Sequence, residues 1–285
     1  MKLKQFVILT KPGIVVGNTL ATMGGFFVGS PGVVDWKSCF AVFFGSLFLV
    51  AGSCVANNYL DRDIDKHMKR TAKRPSVTGA IPLRVGMVFA SLMLLVGLFV
   101  LAWGTNGLTV LLGFAGAILY IGAYDYAKRR THLATFIGAF PGAFPPVAGY
   151  TAAMGALDQA TLLLFLAMFA WQMAHFYAIG IFRIHDYEAA EIPVLPLVKG
   201  LSRTVWEMRL YGLIFIVACY LLANLGYTGF MFGLATVAIG LYWLVPMFSP
   251  NWRLDTEKLA RSIFKRSLHV LITFCIFMML SHVLL

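Results

Sequence analysis

Residues 38 to 58 read SCFAVFFGSLFLVAGSCVANN, and residues 59 to 65 read YLDRDID. The first stretch is apolar over the length that a membrane-spanning helix requires, about 20 residues, and the second is acidic. The rest of the chain is also apolar, because 60% of its 285 residues are hydrophobic and only 12% are charged. A soluble domain carries roughly 25% charged residues. The sequence therefore predicts an all-α, polytopic membrane protein and excludes an ordinary soluble enzyme.

Nine apolar segments have the length of a membrane span. They lie at about 13–31, 38–58, 85–104, 107–126, 134–153, 160–182, 210–226, 229–248 and 267–285. Together they occupy most of residues 1–285, so we predict a single integral membrane domain. The segment at 13–31 lacks an obvious small-residue cleavage site, which favours a first span over a signal peptide. The four cysteines are far apart in the sequence and form no metal-ligand pattern.

The distribution of basic residues predicts the orientation of the chain. If the nine helices alternate in direction, every Lys and Arg except Lys37 lies on one side of the membrane. The positive-inside rule makes that side the cytoplasm and places the amino terminus there. The net charge of +11 is therefore mainly an orientation signal. It can also attract anionic lipid, whereas no motif supports nucleic-acid binding. The two longest loops follow predicted spans two and six on this side, so we expect the functional site at the cytoplasmic surface.

The acidic motif after span two has the spacing of a ligand site. If the helix continues past residue 58, Asn58, Asp61 and Asp65 fall on one face, with Asn57 at its border. Like charges one turn apart repel unless a cation lies between them. Mg²⁺ suits these oxygen ligands, since it usually takes one or two carboxylates and completes its shell with phosphate oxygens. Asp63 points away from this face and is expected to be a surface charge.

Basic residues follow the acidic motif directly, and they are Lys66, Lys69, Arg70, Lys73 and Arg74. Carboxylates beside a cationic cluster indicate a metal-bridged diphosphate more strongly than they indicate a solvated loop. A second candidate lies at the end of span four, where Tyr124 and Lys128 share one helical stripe and could both reach an anion. The alternative for that pair is an interfacial tyrosine beside an anchoring cation.

Span five contains Pro141 and the pair Pro145-Pro146 among small residues. We predict that its helix is broken or kinked there. Irregular backbone at membrane depth is tolerated where it lines a protein cavity, so residues 138–149 are a candidate substrate wall, with simple kinking as the alternative. Polar residues inside a span usually face the interior of the bundle, and His175 in span six is the clearest example.

The acidic motif resembles that of the intramembrane prenyltransferases related to 4-hydroxybenzoate polyprenyltransferase. Their Asn-Asp-x-x-Asp-x-x-x-Asp signature matches Asn57, Asn58, Asp61 and Asp65, with Asn58 in place of the usual Asp, and the Arg-Pro that follows it matches Arg74-Pro75. Their Tyr-x-x-x-Lys motif matches Tyr124 and Lys128. In the region of the second aspartate-rich motif, this chain has His175 where an Asp is expected, and it keeps Asp186.

With His175 at this position, the chain resembles the haem branch of the family, the protohaem IX farnesyltransferases or haem O synthases. The matching segments are residues 10–13, 57–75, 138–146, 171–176, and 186–187 with 192–196. The resemblance implies transfer of farnesyl from its diphosphate to a vinyl group of haem B, with haem B as substrate and Mg²⁺ in the metal-diphosphate complex. It also implies a cytoplasmic (inner) membrane location, and a downstream haem-modifying enzyme or terminal oxidase as a partner.

The resemblance also implies a set of site residues. The metal ligands would be Asn58, Asp61, Asp65 and Asp186, and the residues with catalytic roles would be Asp61, Asp65, Asp186, Lys128 and Tyr124. The diphosphate would contact Asn57, Asn58, Arg70, Arg74, Lys128, Arg129 and Arg183. For haem the implied residues are Trp171 and His175, where His175 either ligates iron or forms a hydrogen bond within the bundle.

Two other functions are alternatives to haem farnesylation. One is prenyl transfer to an aromatic quinone precursor, which would use the same diphosphate site. The other is secondary transport. Transporters place their ionisable groups near the membrane midplane, whereas the acidic motif here lies at one surface.

Overall fold

The computed structural model describes residues 3–284, and within that range the chain contains helices and no β-strand. The all-α prediction is therefore confirmed. The helices are α1 Leu3–Leu9, α2 Pro12–Val28, α3 Trp36–Leu60, α4 Arg62–Asp65, α5 Pro75–Thr78, α6 Leu83–Gly104, α7 Gly107–Ile118, α8 Asp125–Lys128, α9 Ala134–Met154, α10 Gln159–Phe182, α11 Ile184–Ala189, α12 Leu195–Val198, α13 Gly200–Asn224, α14 Phe230–Leu244 and α15 Thr256–Leu284. A π-helical turn, Leu119–Tyr124, joins α7 to α8, and two 3-10 turns, Val245–Phe248 and Pro250–Arg253, lie between α14 and α15.

Seven helical segments in the described range are long and apolar enough to cross a membrane. Helices α1 and α2 meet at a bend of 57° and add an eighth span if they are counted as one. Helix α9 occupies the place of the predicted fifth span, but its prolines and glycines leave it too weakly apolar to be counted with the seven. The count of nine spans remains a prediction. The last predicted span ends at Leu285, which lies outside the described residues, as does Lys2.

Two helices begin well before the spans predicted for them. Helix α13 begins at Gly200 rather than near residue 210, and α15 begins at Thr256 rather than near residue 267. Apolarity marks only the part of a helix inside the bilayer, whereas the first turns of both helices are charged. Each of these first turns is stabilised by a Glu and an Arg one turn apart, Arg203 with Glu207 and Glu257 with Arg261.

Helix α9 packs against α2, α7 and α10. Its three prolines do not interrupt it, so the predicted break is absent from Ala134–Met154. Close packing explains how it is held, because a Cβ added to Gly149 would lie 1.8 Å from the carbonyl oxygen of Thr22 on α2. Small residues allow this approach of two backbones. The neighbouring helices support a proline-containing helix that would be unstable alone.

The other long helices pack against one another and against α9. Helix α3 packs on α6, α10 packs on α13, and α15 packs between α2, α10 and α14. As a result, the end of α3 lies beside α8 and beside the short connection between α1 and α2, where polar side chains from all three segments form hydrogen bonds. This end of the bundle carries the candidate site.

Candidate active site

The acidic motif lies where α3 ends and α4 begins, and it is buried. Asn57 is 2% exposed, Asn58 0%, Asp61 7% and Asp65 4%. The helical path continues through the motif, since the Asp61 amide bonds to the Asn57 carbonyl at 2.9 Å and the Asp65 amide to the Asp61 carbonyl at 2.8 Å. The predicted face of Asn58, Asp61 and Asp65 therefore exists, and it points into the protein.

Basic side chains neutralise both carboxylates on this face. Lys128 Nζ donates to Asp61 Oδ1 and also lies 2.9 Å from Asp125 Oδ1. Arg74 Nη1 donates to Asp65 Oδ2 at 2.5 Å. An isolated buried charge is very unfavourable, so these pairs are what allows the carboxylates to be buried. Lys128 and Arg74, both predicted from the sequence as site residues, thus form ion pairs with the predicted carboxylates.

Lys11, Tyr120 and Asp125 belong to the cluster but were not predicted. Lys11 Nζ donates to Asn57 Oδ1 at 2.7 Å, Tyr120 Oη donates to the same oxygen at 3.3 Å, and Asn57 Nδ2 donates to Asp125 Oδ1 at 3.3 Å. Lys11 lies between α1 and α2 in the left-handed region, with φ of 53°. The sequence signal for Lys11 was weak, because a charged residue beside an apolar segment is ordinarily an interfacial anchor.

Asn58 provides an observation that bears on a metal ion. Its Nδ2 donates to the Leu9 carbonyl at 2.7 Å, while its Oδ1 is buried and has no hydrogen-bond partner among the described residues. An unpaired buried acceptor is costly, and a cation would satisfy it. No three His, Cys, Asp or Glu side chains in residues 3–284 converge closely enough to hold a metal by themselves. The oxygens of Asn58, Asp61 and Asp65 fit Mg²⁺ if phosphate oxygens complete its shell.

The π-helical turn sets the position of Tyr124 and Lys128. The Tyr124 ring stacks on Tyr120, with ring centroids 5.6 Å apart and planes at 12°, and Lys128 Nζ lies 5.4 Å from the Tyr124 ring centroid. The predicted proximity of Tyr124 and Lys128 is therefore present, with the ammonium near the face of the ring. π-Helical turns inside α-helices are often found at functional sites.

Arg129 lies outside the buried cluster. It binds Asp63 through two nitrogens, at 2.5 and 2.9 Å, and Asp63 is the exposed acid of the motif. The hydrogen bond from Arg129 lowers the pKa of the Asp63 carboxyl from 3.8 to about 2. A lowered carboxyl pKa means that the pair is intact at neutral pH, and that its small stabilisation is lost only as the pH falls from about 4 toward 2. Arg70 is also exposed.

The second loop contributes Arg183 and Asp186. Their side chains approach to 3.7 Å and are 38% and 15% exposed. Asp186 forms no ion pair with the first cluster within the described chain. The two loops are nevertheless in contact, because Met68 of the first loop packs with Ala190 and Ile192 of the second. The structure therefore brings the two loops together without placing Asp186 beside Asp61 and Asp65.

His175 and Trp171 lie on α10 and face α15. Their rings stack with centroids 4.7 Å apart and planes at 19°. His175 Nδ1 and Ser267 Oγ are 2.6 Å apart, and Trp171 Nε1 donates to the Ser267 carbonyl at 2.8 Å. His175 was expected either to ligate iron or to form a hydrogen bond within the bundle. The contact with Ser267 is such a hydrogen bond. An iron ligand at this position would use the other ring nitrogen, Nε2.

Known proteins resemble this chain in both sequence and fold. The model of the UbiA prenyltransferase family matches residues 18–269. The chain belongs to this family. The relatives include a protein of Yersinia enterocolitica named protoheme IX farnesyltransferase, 44% identical over 86% of this chain and 83% of the relative. A protein of the same name from Photorhabdus laumondii is 40% identical over 92% of this chain and 90% of the relative.

Solved structures of other UbiA proteins share the fold at low sequence identity. A structure of digeranylgeranylglyceryl phosphate synthase has a TM-score of 0.80 at 16% identity, covering 99% of each chain. A UbiA homologue of Archaeoglobus fulgidus, described as bound to DMAPP and Mg²⁺, has a TM-score of 0.75 at 19% identity, covering 99% of this chain and 100% of that one. The family predicted from the motifs is therefore confirmed, and the chain is an integral membrane prenyltransferase.

Proposed function

We propose that this UbiA protein transfers farnesyl from farnesyl diphosphate to a vinyl group of protohaem IX, which converts haem B to haem O. The observation that carries the proposal is the 44% identity, over 86% of the chain, to the Yersinia protein named protoheme IX farnesyltransferase. The buried cluster of carboxylates and cations supports the chemistry. A departing diphosphate requires both metal ligands and positive charge around it.

The proposed metal ligands are Asn58, Asp61 and Asp65, and Asp186 would join them if the second loop moves toward the first when the metal-diphosphate complex binds. Bound Mg²⁺ would neutralise charge that develops on the diphosphate as the carbon–oxygen bond breaks. The unpaired Oδ1 of Asn58 supports this assignment, since the amide oxygen is already positioned and needs no other group to be displaced. The Archaeoglobus homologue described as bound to DMAPP and Mg²⁺ supports a metal-diphosphate complex within the fold.

The proposed role of the cations is to bind the diphosphate oxygens. Lys128 and Arg74 pair with carboxylates in this structure, and they would turn to the donor as it enters. Tyr124 lies beside Lys128 and would direct its hydroxyl to the same anion. The remaining contacts proposed from the sequence are Asn57, Arg70, Arg129 and Arg183. Preorganised cations stabilise the leaving group without reorganisation at the moment of reaction.

The allylic cation that remains after ionisation must be protected from water until the vinyl group attacks. The surroundings of the acidic motif support such protection, because the cluster is buried and the long helices around it are apolar. After the attack, capture of water would produce the hydroxyl group of the haem O side chain. The side chains of the bundle would therefore exclude water from the first step and admit it to the second.

Location and orientation are further parts of the proposal. We place the chain in the cytoplasmic (inner) membrane with its amino terminus and active site on the cytoplasmic side, on the basis of the positive-inside pattern. A downstream haem-modifying enzyme or terminal oxidase would receive the product.

The proposed reaction is tested by mass spectrometry of haem extracted from membranes with and without the protein. Haem O is expected to accumulate only when the chain is present and farnesyl diphosphate and Mg²⁺ are supplied. The same membranes are offered an aromatic quinone precursor. Prenylation of that acceptor with no haem O would overturn the assignment of haem, while leaving prenyl transfer intact.

His175 is tested separately, by the variants His175→Ala and Ser267→Ala. If His175 ligates iron, its replacement reduces haem binding by the purified protein far more than the replacement of Ser267, which only orients the ring. Equal effects on protein stability with unchanged haem binding and product formation would assign His175 to the hydrogen bond alone.

A further inference from the structure

A cleft lies beside the start of α13, and none of its lining residues belongs to the acidic cluster. Its volume is about 530 Å³, and it is bordered by the start of α9, the end of α10, and the α12–α13 connection. We call it the α13 cleft. Its basic residues are His132, Lys199 and Arg203, and its single acidic residue is Glu207. None of these residues is among those placed in the active site.

The acid in the α13 cleft is already neutralised. Arg203 Nε donates to Glu207 Oε1 at 2.7 Å, and Tyr177 Oη donates to Glu207 Oε2 at 2.7 Å. Arg203 uses only Nε in this contact, so its terminal nitrogens remain donors for another group. Lys199 is exposed and forms no ion pair within the described range. The cleft therefore presents net positive charge with unused donors.

The α13 cleft lies at the level where the bundle meets the membrane surface. Leu133, which lines the cleft, is 52% exposed, and the apolar Val198 and Trp206, which precede the lining residues Lys199 and Glu207 in the chain, are 48% and 49% exposed. Tryptophan is enriched at the membrane interface. Lys199 immediately precedes α13 and Arg203 lies in its first turn, and the apolar part of this candidate span follows. The cleft thus has a basic end and apolar walls, which include Leu133 and Leu195.

We propose that the α13 cleft binds the phosphate group of an anionic phospholipid. Lys199 and Arg203 contact the phosphate, while Leu133 and Leu195 contact the glycerol and the upper acyl chains. Basic pockets between transmembrane helices bind anionic headgroups through this combination of charge and depth. The amino-terminal end of α13 adds a favourable dipole for the same anion. A soluble phosphate shares the charge of the lipid but would leave the apolar walls uncovered.

The test uses the full-length protein, purified in a neutral detergent and titrated with phosphatidylglycerol or phosphatidylcholine. Native mass spectrometry measures the bound lipid. The wild type is expected to retain phosphatidylglycerol and to release phosphatidylcholine. Lys199→Gln keeps the Arg203–Glu207 pair intact and should weaken retention about fivefold, and Lys199→Gln with Arg203→Gln should weaken it about 25-fold.

A matched control is available at the start of α15. Lys258 is exposed, and Arg261 pairs with Glu257 one turn away, as Arg203 pairs with Glu207. Lys258→Gln with Arg261→Gln removes the same charge from the same end of the bundle and should retain phosphatidylglycerol like the wild type. Equal loss in both double variants would overturn the proposal, since it would mean non-specific attraction. Displacement of phosphatidylglycerol by an equal concentration of glycerol 3-phosphate would also overturn it, by assigning the cleft to a soluble phosphate.

Discussion

At the residue scale, the central feature is a set of charges that are largely buried. Asp61 and Lys128 are 7% and 6% exposed and contact one another. A buried ion pair contributes little net stability compared with apolar side chains of similar size, because both ions must lose their hydration. Stability alone therefore gives no reason to keep these charges. Their retention indicates a function that needs carboxylates and cations side by side.

Removing a carboxylate of the motif should stop turnover. Asp61→Ala or Asp65→Ala is expected to reduce Mg²⁺-dependent product formation by about 100-fold or more, because transition-state charge is no longer stabilised. Insertion into the membrane should be unchanged. Asp63→Ala is the matched control, since Asp63 is exposed and within the described residues pairs with Arg129 alone. Wild-type rates in either of the first two variants would refute the assignment of these carboxylates.

Removing the buried ammonium should cost stability. Lys128→Met leaves Asp61 and Asp125 without their shared cation, and loss of one partner from a buried pair costs about 3–5 kcal/mol. Chemical unfolding in detergent measures the change. The neighbouring variant Arg129→Met breaks an exposed pair with Asp63 and a hydrogen bond to the Leu60 carbonyl, and it should cost less, no more than about 2 kcal/mol. Similar losses in the two variants would contradict the buried pairing seen here.

At the element scale, one π-helical turn determines which side chains of the fourth span reach the site. A π-helical turn accommodates one residue more than an α-helical turn, so the residues after Leu119–Tyr124 are rotated relative to α7. This rotation accompanies the stacking of Tyr120 on Tyr124 and the contact between Lys128 and Asp61. The composition of the segment gives no indication of it.

Inserting one alanine after Asp125, beyond the π-helical turn, should rotate Lys128 by about 100° around the helix axis. The variant is expected to insert and to remain monodisperse in detergent, but to lose product formation. Gly122→Ala is the control, because a Cβ at that position would meet no atom within 4 Å. An active insertion variant would contradict the importance of the orientation that the π-helical turn gives to Lys128.

At the scale of the whole molecule, charge is distributed unequally between the two ends of the bundle. All basic residues except Lys37 lie on one side if the predicted spans alternate. The four cysteines are free and buried, which leaves the protein surface without native thiols in the described range. This makes the orientation directly measurable.

Two single-cysteine sites test that orientation. Val33 and Leu254 are 86% and 84% exposed and lie in loops assigned to opposite sides. A membrane-impermeant maleimide should label Val33→Cys in intact cells and label Leu254→Cys only after the inner membrane is permeabilised. The reverse pattern would place the acidic cluster outside the cytoplasm.

Local periodicity was sufficient to predict the acidic face but not its partners. Asn58, Asp61 and Asp65 lie one turn apart on one helix, so their common face follows from helix geometry alone. Lys11 and Asp125 join them from elsewhere in the chain, at sequence distances that no local pattern records. The early start of α13 was missed for a related reason, since hydropathy detects the lipid-facing part of a helix and not its charged first turns.

The pairing of Lys128 with Asp61 and of Arg74 with Asp65 has a consequence for the end of each catalytic cycle. The protein holds an internal counterion for each of these carboxylates, so in the proposed cycle the departure of diphosphate would let these two pairs form again. Both carboxylates would then be neutralised before another donor arrives. Lys128 and Arg74, once paired, would attract the released diphosphate less strongly, and the site would return to its starting state without another molecule.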